Sequence, residues 1–258
     1  MTLRPLGRLT EDVETPRAIE LYPFELTVDS VERSLSRPGW LYSHDQGSEG
    51  SCVGHAVALE RGMTNTLELP GRAWRRYDPI AIWRAAKAVD EWSFTKPEDA
   101  NGTSVRAAYE IARSAGLVRV RTMKLEGDRP TPIHYVRVGS SPSPDAGVSE
   151  FRWARTVDSV RAAIGAGVPV VIGVEWLTGF DSPTLKGRER WLPLYPDAGR
   201  SRGGHAVTLT AASDRRQAVL LCNSWGRDYP PTWMPYETLS ALLSRRGEAA
   251  LVTDRLNV

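Results

Sequence analysis

The spacing of apolar residues changes character part-way along this chain, and that change constrains the fold more than any other feature of the sequence. Before a Ser-, Pro- and Gly-rich stretch at Gly139 to Gly147, apolar side chains recur at helical spacing. Beyond it they gather into short β-branched runs of the kind buried strands require. Helices first and strands second place the chain in the α+β class, with two halves able to face each other across a cleft. Residues 1–38 carry Pro5, Pro16, Pro23 and Pro38 among alternating charged and apolar residues, and read as an N-terminal arm packed on the body. Residues 39–258 then form one domain, with a helical lobe at about 39–138 and a β-rich lobe at about 148–258.

The spacing predicts a helix from Cys52 to about residue 66, with Val53, Ala56, Val57, Ala58 and Leu59 inward and Ser51 or Ser48 able to cap it. A second helix starts at Pro79 and carries Ile80, Ile82, Trp83, Ala86 and Val89, and a third runs from Ser104 to Ala115 with Gly116 as its stop. A short helix near Val157 to Ala166 leads into a strand at Val168 to Val174. Strands at His205 to Ala211 and Ala218 to Asn223 flank the turn SDRR. A last helix with Tyr236, Leu239, Leu242 and Leu243 precedes a strand at Ala249 to Thr253.

Composition removes several classes of function. A chain of 258 residues, 41% hydrophobic, can bury a sizeable core unaided. Its 33 basic and 31 acidic residues leave a formal charge of +2, too small a field to make nucleic acid an expected partner. No run approaches the roughly 18 to 20 apolar residues of a membrane span, and the N-terminus lacks the apolar run of a secretory signal. The expectation is a cytoplasmic protein, or a virion-associated one if the source is a phage. Two cysteines, Cys52 and Cys222, stand 170 positions apart, so no disulfide framework is expected. No cofactor and no metal is implied.

Three segments carry residues suited to nucleophilic chemistry. In DQGSEGSCVGHA, Cys52 falls in the first turn of a helix, whose partial positive charge favours the reactive thiolate. Gln46, six residues earlier, has a side-chain amide able to donate to the same point as the Cys52 backbone amide, which would make an oxyanion hole. In GGHAVTLTA, His205 begins an apolar strand behind Gly203 and Gly204, which leave room beside the imidazole for a substrate chain. In CNSWG, Asn223 ends a strand and can accept from the second imidazole nitrogen, with Trp225 placed to cover that bond from water.

Taken in the order Cys, His, Asn, these segments resemble the boxes of the papain-like cysteine peptidases. DQGSEGSC looks like the family's glutamine-to-cysteine box, GGHAV like its histidine box and NSWG like its asparagine box. The separation of 153 residues from Cys52 to His205 is close to the spacing of about 130 to 150 in that family. The resemblance spans about residues 39–254. It implies a papain-like two-lobe fold, with Gln46 and Cys52 on the helical lobe, His205 and Asn223 on the β-rich lobe, and a peptide or protein substrate between them. It also makes Gly102, in NGTSVRAA, a candidate to bind substrate backbone, alongside Gly204 and Trp225. Two departures stand out. Glu49 replaces a cysteine and Val53 a tryptophan of the secreted members, which suits the bacterial and viral branch that lacks the usual disulfides. The stretch before the glutamine box is also too short for the family's inhibitory propeptide.

Three functions are compatible with these residues. One is a cysteine endopeptidase working through a Cys/His/Asn triad. A second is a non-catalytic papain-fold part of a larger assembly such as a phage particle. The third is a hydrolase of peptidoglycan or isopeptide bonds. His55, one helical turn from Cys52, could also replace His205 as base or join His44 and Cys52 around a metal, although their spacing matches no compact zinc pattern.

Overall fold

The computed structural model describes residues 6, 28–35, 44–68, 76–90, 101–122, 135–137, 141–142 and 147–253. Helix α1 (Cys52–Glu68), α2 (Pro79–Val89) and α3 (Val105–Ser114) form the helical half. They start where side chains can satisfy their first amides. Asp78 Oδ1 accepts from Ile80 N and Ala81 N at 3.0 and 2.9 Å, and Ser104 Oγ accepts from Ala107 N at 3.1 Å. Pro79 sits at the first position of α2, where no amide hydrogen is required.

The other half is organised on a nine-stranded sheet. Its members are β1 (Glu32–Ser34), β5 (Phe151–Trp153), β6 (Val170–Leu177), β7 (Thr184–Lys186), β8 (Glu189–Trp191), β9 (Ser201–Ser213), β10 (Ala218–Cys222), β11 (Thr232–Pro235) and β12 (Glu248–Val252). The order is β5-β12-β6-β9-β10-β11-β8-β7, antiparallel except where β11 meets β8, and β1 pairs with β9 beside this path. Pairing of β6 with β9 ends at Val170 and Leu209, and β1 then takes positions 211–213 of the same long strand. The N-terminal arm is therefore stitched to the body through Glu32–Ser34, while most of residues 1–38 lies outside the described residues. Helices α4 (Val157–Gly165) and α5 (Tyr236–Ser244) complete this half.

Alternation along the central strands explains why their apolar residues are not confined to every second position. Val170, Ile172, Val174 and Trp176 of β6, Val207 and Leu209 of β9, and Ala249 and Leu251 of β12 face a core shared with α4 and α5. Their neighbours Val171, Ala206, Ala250 and Val252 face a second core built from α1, α2 and α3. The sheet is thus covered on both faces, and α1 lies directly against it: Thr208 Oγ1 donates to Ala56 O at 2.9 Å.

Several expectations need adjustment. Strand β9 is longer at both ends than His205 to Ala211, because Gly203 and Gly204 pair with Trp176 and Glu175 while β1 and β10 extend its far end to Ser213. Strand β6 starts at Val170 rather than Val168 and runs on to Leu177. The helical half also carries a small sheet of β2 (Arg76–Tyr77), β3 (Arg119–Thr122) and β4 (Tyr135–Arg137). The seam at 139–147 falls largely outside the described residues. Among the described residues no helix is long and apolar enough to cross a membrane.

Candidate active site

Cys52 is the first residue of α1, and His55 N closes the first turn onto Ser51 O at 3.1 Å. The loop before it turns tightly against a second segment. A Cβ on Gly50 would lie 2.5 Å from Asn101 O, so only glycine allows this approach. The Asn101 segment is itself pinned to α2. Trp83 Nε1 donates to Asn101 O at 3.0 Å, and the Asp90 carboxylate accepts from Thr103 Oγ1 and Ser104 N at 2.8 and 2.7 Å. Gly102, singled out for substrate backbone, is thereby held buried between residues fixed on both sides.

His205 stands on β9 opposite Val174, on the sheet face that carries Trp176. Its Nε2 meets Asn223 Oδ1 at 2.8 Å, and the same oxygen accepts from Ser224 N at 2.7 Å. An oxygen facing two donors fixes the carboxamide orientation and makes His205 Nε2 the protonated nitrogen. Two indoles enclose this bond. The Trp176 ring lies edge-on to His205 at 4.7 Å between centroids, and Trp225 lies tilted at 5.2 Å. Trp176 is in turn held by Asp181, whose Oδ1 accepts from its Nε1 at 3.0 Å and from Arg202 Nη1 at 2.5 Å. Burial pushes the His205 imidazole down to about 4, with the Asn223 bond opposing the shift and the Arg202 charge adding to it. The remaining nitrogen, Nδ1, is buried and makes no hydrogen bond.

Gln46 reaches this group from the other side of the sequence. The backbone of residues 44–46 pairs with that of 224–226: Gln46 N donates to Ser224 O at 2.8 Å, Gly226 N donates to His44 O at 3.0 Å, and Asp45 bridges to Trp225. Gly226 has a φ of +66°, and a Cβ there would meet Asp45 Oδ2 at 2.7 Å, so the glycine of NSWG is what allows the glutamine box to dock. The Gln46 side chain is fixed at both ends. Its Oε1 accepts from Ser224 Oγ at 2.6 Å, and its Nε2 donates to Glu49 O at 2.7 Å. Ser224 therefore orients Gln46, a role that the motif offered but that the reading of Gln46, Cys52, His205 and Asn223 alone passed over.

The structure brings together His205, Asn223 and Trp225, ties Gln46 to the residue following Asn223, and packs Cys52 in the same core as Ala206, the neighbour of His205. It does not form a hydrogen bond between the Cys52 thiol and His205 Nδ1. Cys52 and His205 are both fully buried. Gly204 contributes backbone, paired opposite Glu175 in the ladder. Cys222 is a buried thiol pushed up to about 12 by desolvation, with its sulfur 3.5 Å from Thr210 Oγ1.

His44 and His55 face each other, Nδ1 to Nδ1, at 3.1 Å, with ring planes 88° apart. Burial drives His55 down to about 3, with the Asp78 carboxylate opposing, and drives His44 well below its ordinary range, with the charges of His55 and Arg76 adding to the effect. Among the described residues no group of three or more His, Cys, Asp or Glu side chains could hold a metal ion.

Five helices against a large, mostly antiparallel sheet match the fold of the papain-like cysteine proteases. The chain is similar in structure to xylellain, a cysteine protease from Xylella fastidiosa, at 17% identity with 98% of each chain covered and a TM-score of 0.66. It is similar also to proCathepsin B S9 from Trypanosoma congolense, at 10% identity, 95% of this chain, 81% of that one and a TM-score of 0.58. A third likeness is to the Carica candamarcensis cysteine protease CMS1MS2 in complex with E-64, at 15% identity, 85% of this chain, 96% of that one and a TM-score of 0.54. No family model and no curated protein matches the sequence. At these identities the likeness is one of fold.

Proposed function

We propose that the chain is a cysteine endopeptidase in which Cys52 is the nucleophile, His205 the acid and base, Asn223 the residue that orients His205, and Gln46 an oxyanion donor. The observation that carries this reading is the 2.8 Å contact of His205 Nε2 with Asn223 Oδ1, which commits Nε2 and leaves Nδ1 as the nitrogen that a thiol could engage. The Cys52 thiolate attacks the peptide carbonyl, and the imidazolium delivers its proton to the leaving amine to give an acyl-thioester. Water, deprotonated by His205, then releases the acyl group. Charge on the tetrahedral oxygen is met by the Cys52 backbone amide at the helix start and by Gln46 Nε2, whose orientation Ser224 and Glu49 support. Gly102 is assigned to the backbone of an extended substrate, a contact that requires this buried residue to be uncovered on binding, with Gly204 and Trp225 at the other wall. Catalytic hydrogen bonds in unliganded enzymes are often long and tighten when substrate binds, so the unmade contact at Nδ1 belongs to the resting state.

The complete burial of Cys52 and His205 favours a second reading, a papain-fold component without turnover. Incubation with a peptide epoxide followed by mass spectrometry separates the two. A peptidase acquires one adduct on Cys52 that Cys52→Ala abolishes. A chain that acquires none while remaining folded is a scaffold.

A further inference from the structure

A cavity of about 10 Å³ is lined by, among others, His44, His55, Thr208, Cys222, Asn223 and Ser224. That volume admits one water molecule, which needs two to four polar partners. Most polar lining groups are already engaged: Thr208 Oγ1 donates to Ala56 O, Ser224 Oγ donates to Gln46 Oε1, and Cys222 sulfur meets Thr210 Oγ1. Two side-chain atoms of the lining residues are buried without a hydrogen bond, His55 Nε2 and Asn223 Nδ2. Their residues are only 2% and 5% exposed, so bulk water does not serve them. Leaving such atoms unsatisfied is costly, because each forfeits the hydrogen bond it made in water.

We propose that this cavity is a buried water site through which His55 acts as a positioning residue for Asn223. This rests on the catalytic reading of His205 and Asn223 given above. Asn223 Oδ1 already accepts from His205 and Ser224, so the carboxamide must present its NH₂ in another direction. The water accepts from Asn223 Nδ2 and donates to the lone pair of His55 Nε2. His55 then carries its proton on Nδ1 and donates to His44 Nδ1 at 3.1 Å, which leaves His44 protonated on Nε2. In this arrangement Asn223 Nδ2, which has no other partner, gains an acceptor and His55 Nε2 gains a donor. Desolvation keeps His55 neutral down to about 3, so the acceptor at Nε2 persists through the working range of a thiol enzyme. With Nδ1 committed to His44, His55 is left with Nε2 to hold a water.

The test uses the full chain and two independent readouts. A crystal structure at atomic resolution shows a water within hydrogen-bond reach of both His55 Nε2 and Asn223 Nδ2, and density without one overturns the proposal. In kinetics on a peptide substrate, His55→Gln carries an amide oxygen close to the place of Nε2 and keeps most of the wild-type kcat. His55→Asn carries its amide close to the place of Nδ1 and loses about 10- to 100-fold in kcat with KM little changed. Its alkaline limb also moves to lower pH, because a loosened Asn223 no longer stabilises the imidazolium. Equal losses for Gln and Asn at matched urea stability overturn the positioning role. Where His55→Asn fails to fold, the density and the Gln variant decide. Absence of epoxide labelling on wild-type Cys52 would refute the peptidase reading alone, since the water density does not depend on turnover.

Discussion

Three buried histidines make acid the sharpest perturbation of this fold. Unfolding exposes His44, His55 and His205 to water, where each takes up a proton as the pH drops through 6.5. In the folded chain His205 resists protonation down to about 4 and His55 down to about 3, and desolvation holds His44 well below its ordinary range. Between pH 6.5 and about 4 the unfolded chain therefore binds more protons than the folded one, and stability falls as the pH falls. At pH 5 the His55 and His205 imidazoles each favour unfolding by about 2 kcal/mol, together about 4 kcal/mol, with His44 acting in the same direction, against the roughly 5 to 15 kcal/mol of a typical domain. The contribution of His205 does not depend on where its proton sits. A thiol with a neutral imidazole and a thiolate with an imidazolium hold the same number of protons. Asp214, held down to about 2 by Arg161, releases its stabilisation only below its ordinary range near 3.8, and Glu32, lowered by the Arg215 amide, only as the pH falls through 4.5, so both act mainly below pH 5. Urea unfolding followed by the fluorescence of nine tryptophans at a series of pH values from 8 to 5 gives the slope directly. His55 and His205 account for about two protons at pH 5, or about 3 kcal/mol per pH unit, with His44 adding in the same direction and the uptake smaller by about one proton in His55→Gln. An uptake of less than one proton, or a stability flat from pH 8 to 5, would refute the claim that these imidazoles are buried neutral.

Other perturbations follow from single contacts. Gln46→Ala removes one oxyanion donor and is expected to lower kcat on the order of 100-fold with little change in KM, measured on the same peptide substrate. Iodoacetamide at pH 6 should modify Cys52 in the unfolded chain and, on the peptidase reading, in the native chain as well, whereas Cys222 should react only after unfolding because burial keeps it protonated. Mass mapping of the two thiols checks this. Asp214→Ala removes the carboxylate that accepts from Arg161, Tyr236 and the Val31 amide at 2.5 to 2.8 Å, and should cost about 2 to 3 kcal/mol in urea unfolding. The loss should also release the N-terminal strand, visible as faster amide exchange at Glu32 to Ser34.

The elements that were legible in the sequence share one property: their signal is local. Helix α2 begins at Pro79 because a capping carboxylate, a proline and a helical apolar period all sit at the boundary, whereas α1 shows only the apolar period, its expected cap Ser51 being left without a side-chain hydrogen bond. The elements that were not legible depend on distant partners. Gly203 and Gly204 read as the end of a strand by propensity, yet they continue β9 because Trp176 and Glu175 lie opposite them. The hairpin of β7 and β8 and the strand β11 are short, partly exposed and without a β-branched run, so only their pairing defines them.

The candidate site divides in the same way. Cys52, His205, Asn223 and Gln46 stood out because each motif couples a reactive side chain to the glycines or small residues that let the backbone approach it. The supports around them carried no such signature. Trp176 is one apolar residue among eight in β6, and only the strand register places it edge-on to His205. His55 was visible for its distance of one turn from Cys52, which suggested a base or a metal ligand. Its nitrogen is instead turned to His44 at 3.1 Å, and both rings are sealed from water. With its Nδ1 committed to His44 the ring is not placed as a base, but its fixed lone pair survives acid that would protonate an exposed imidazole. Burial thus converts a group that sequence spacing marks as chemical into one that acts by geometry, and period or propensity cannot report that conversion because it arises from packing between α1 and the sheet.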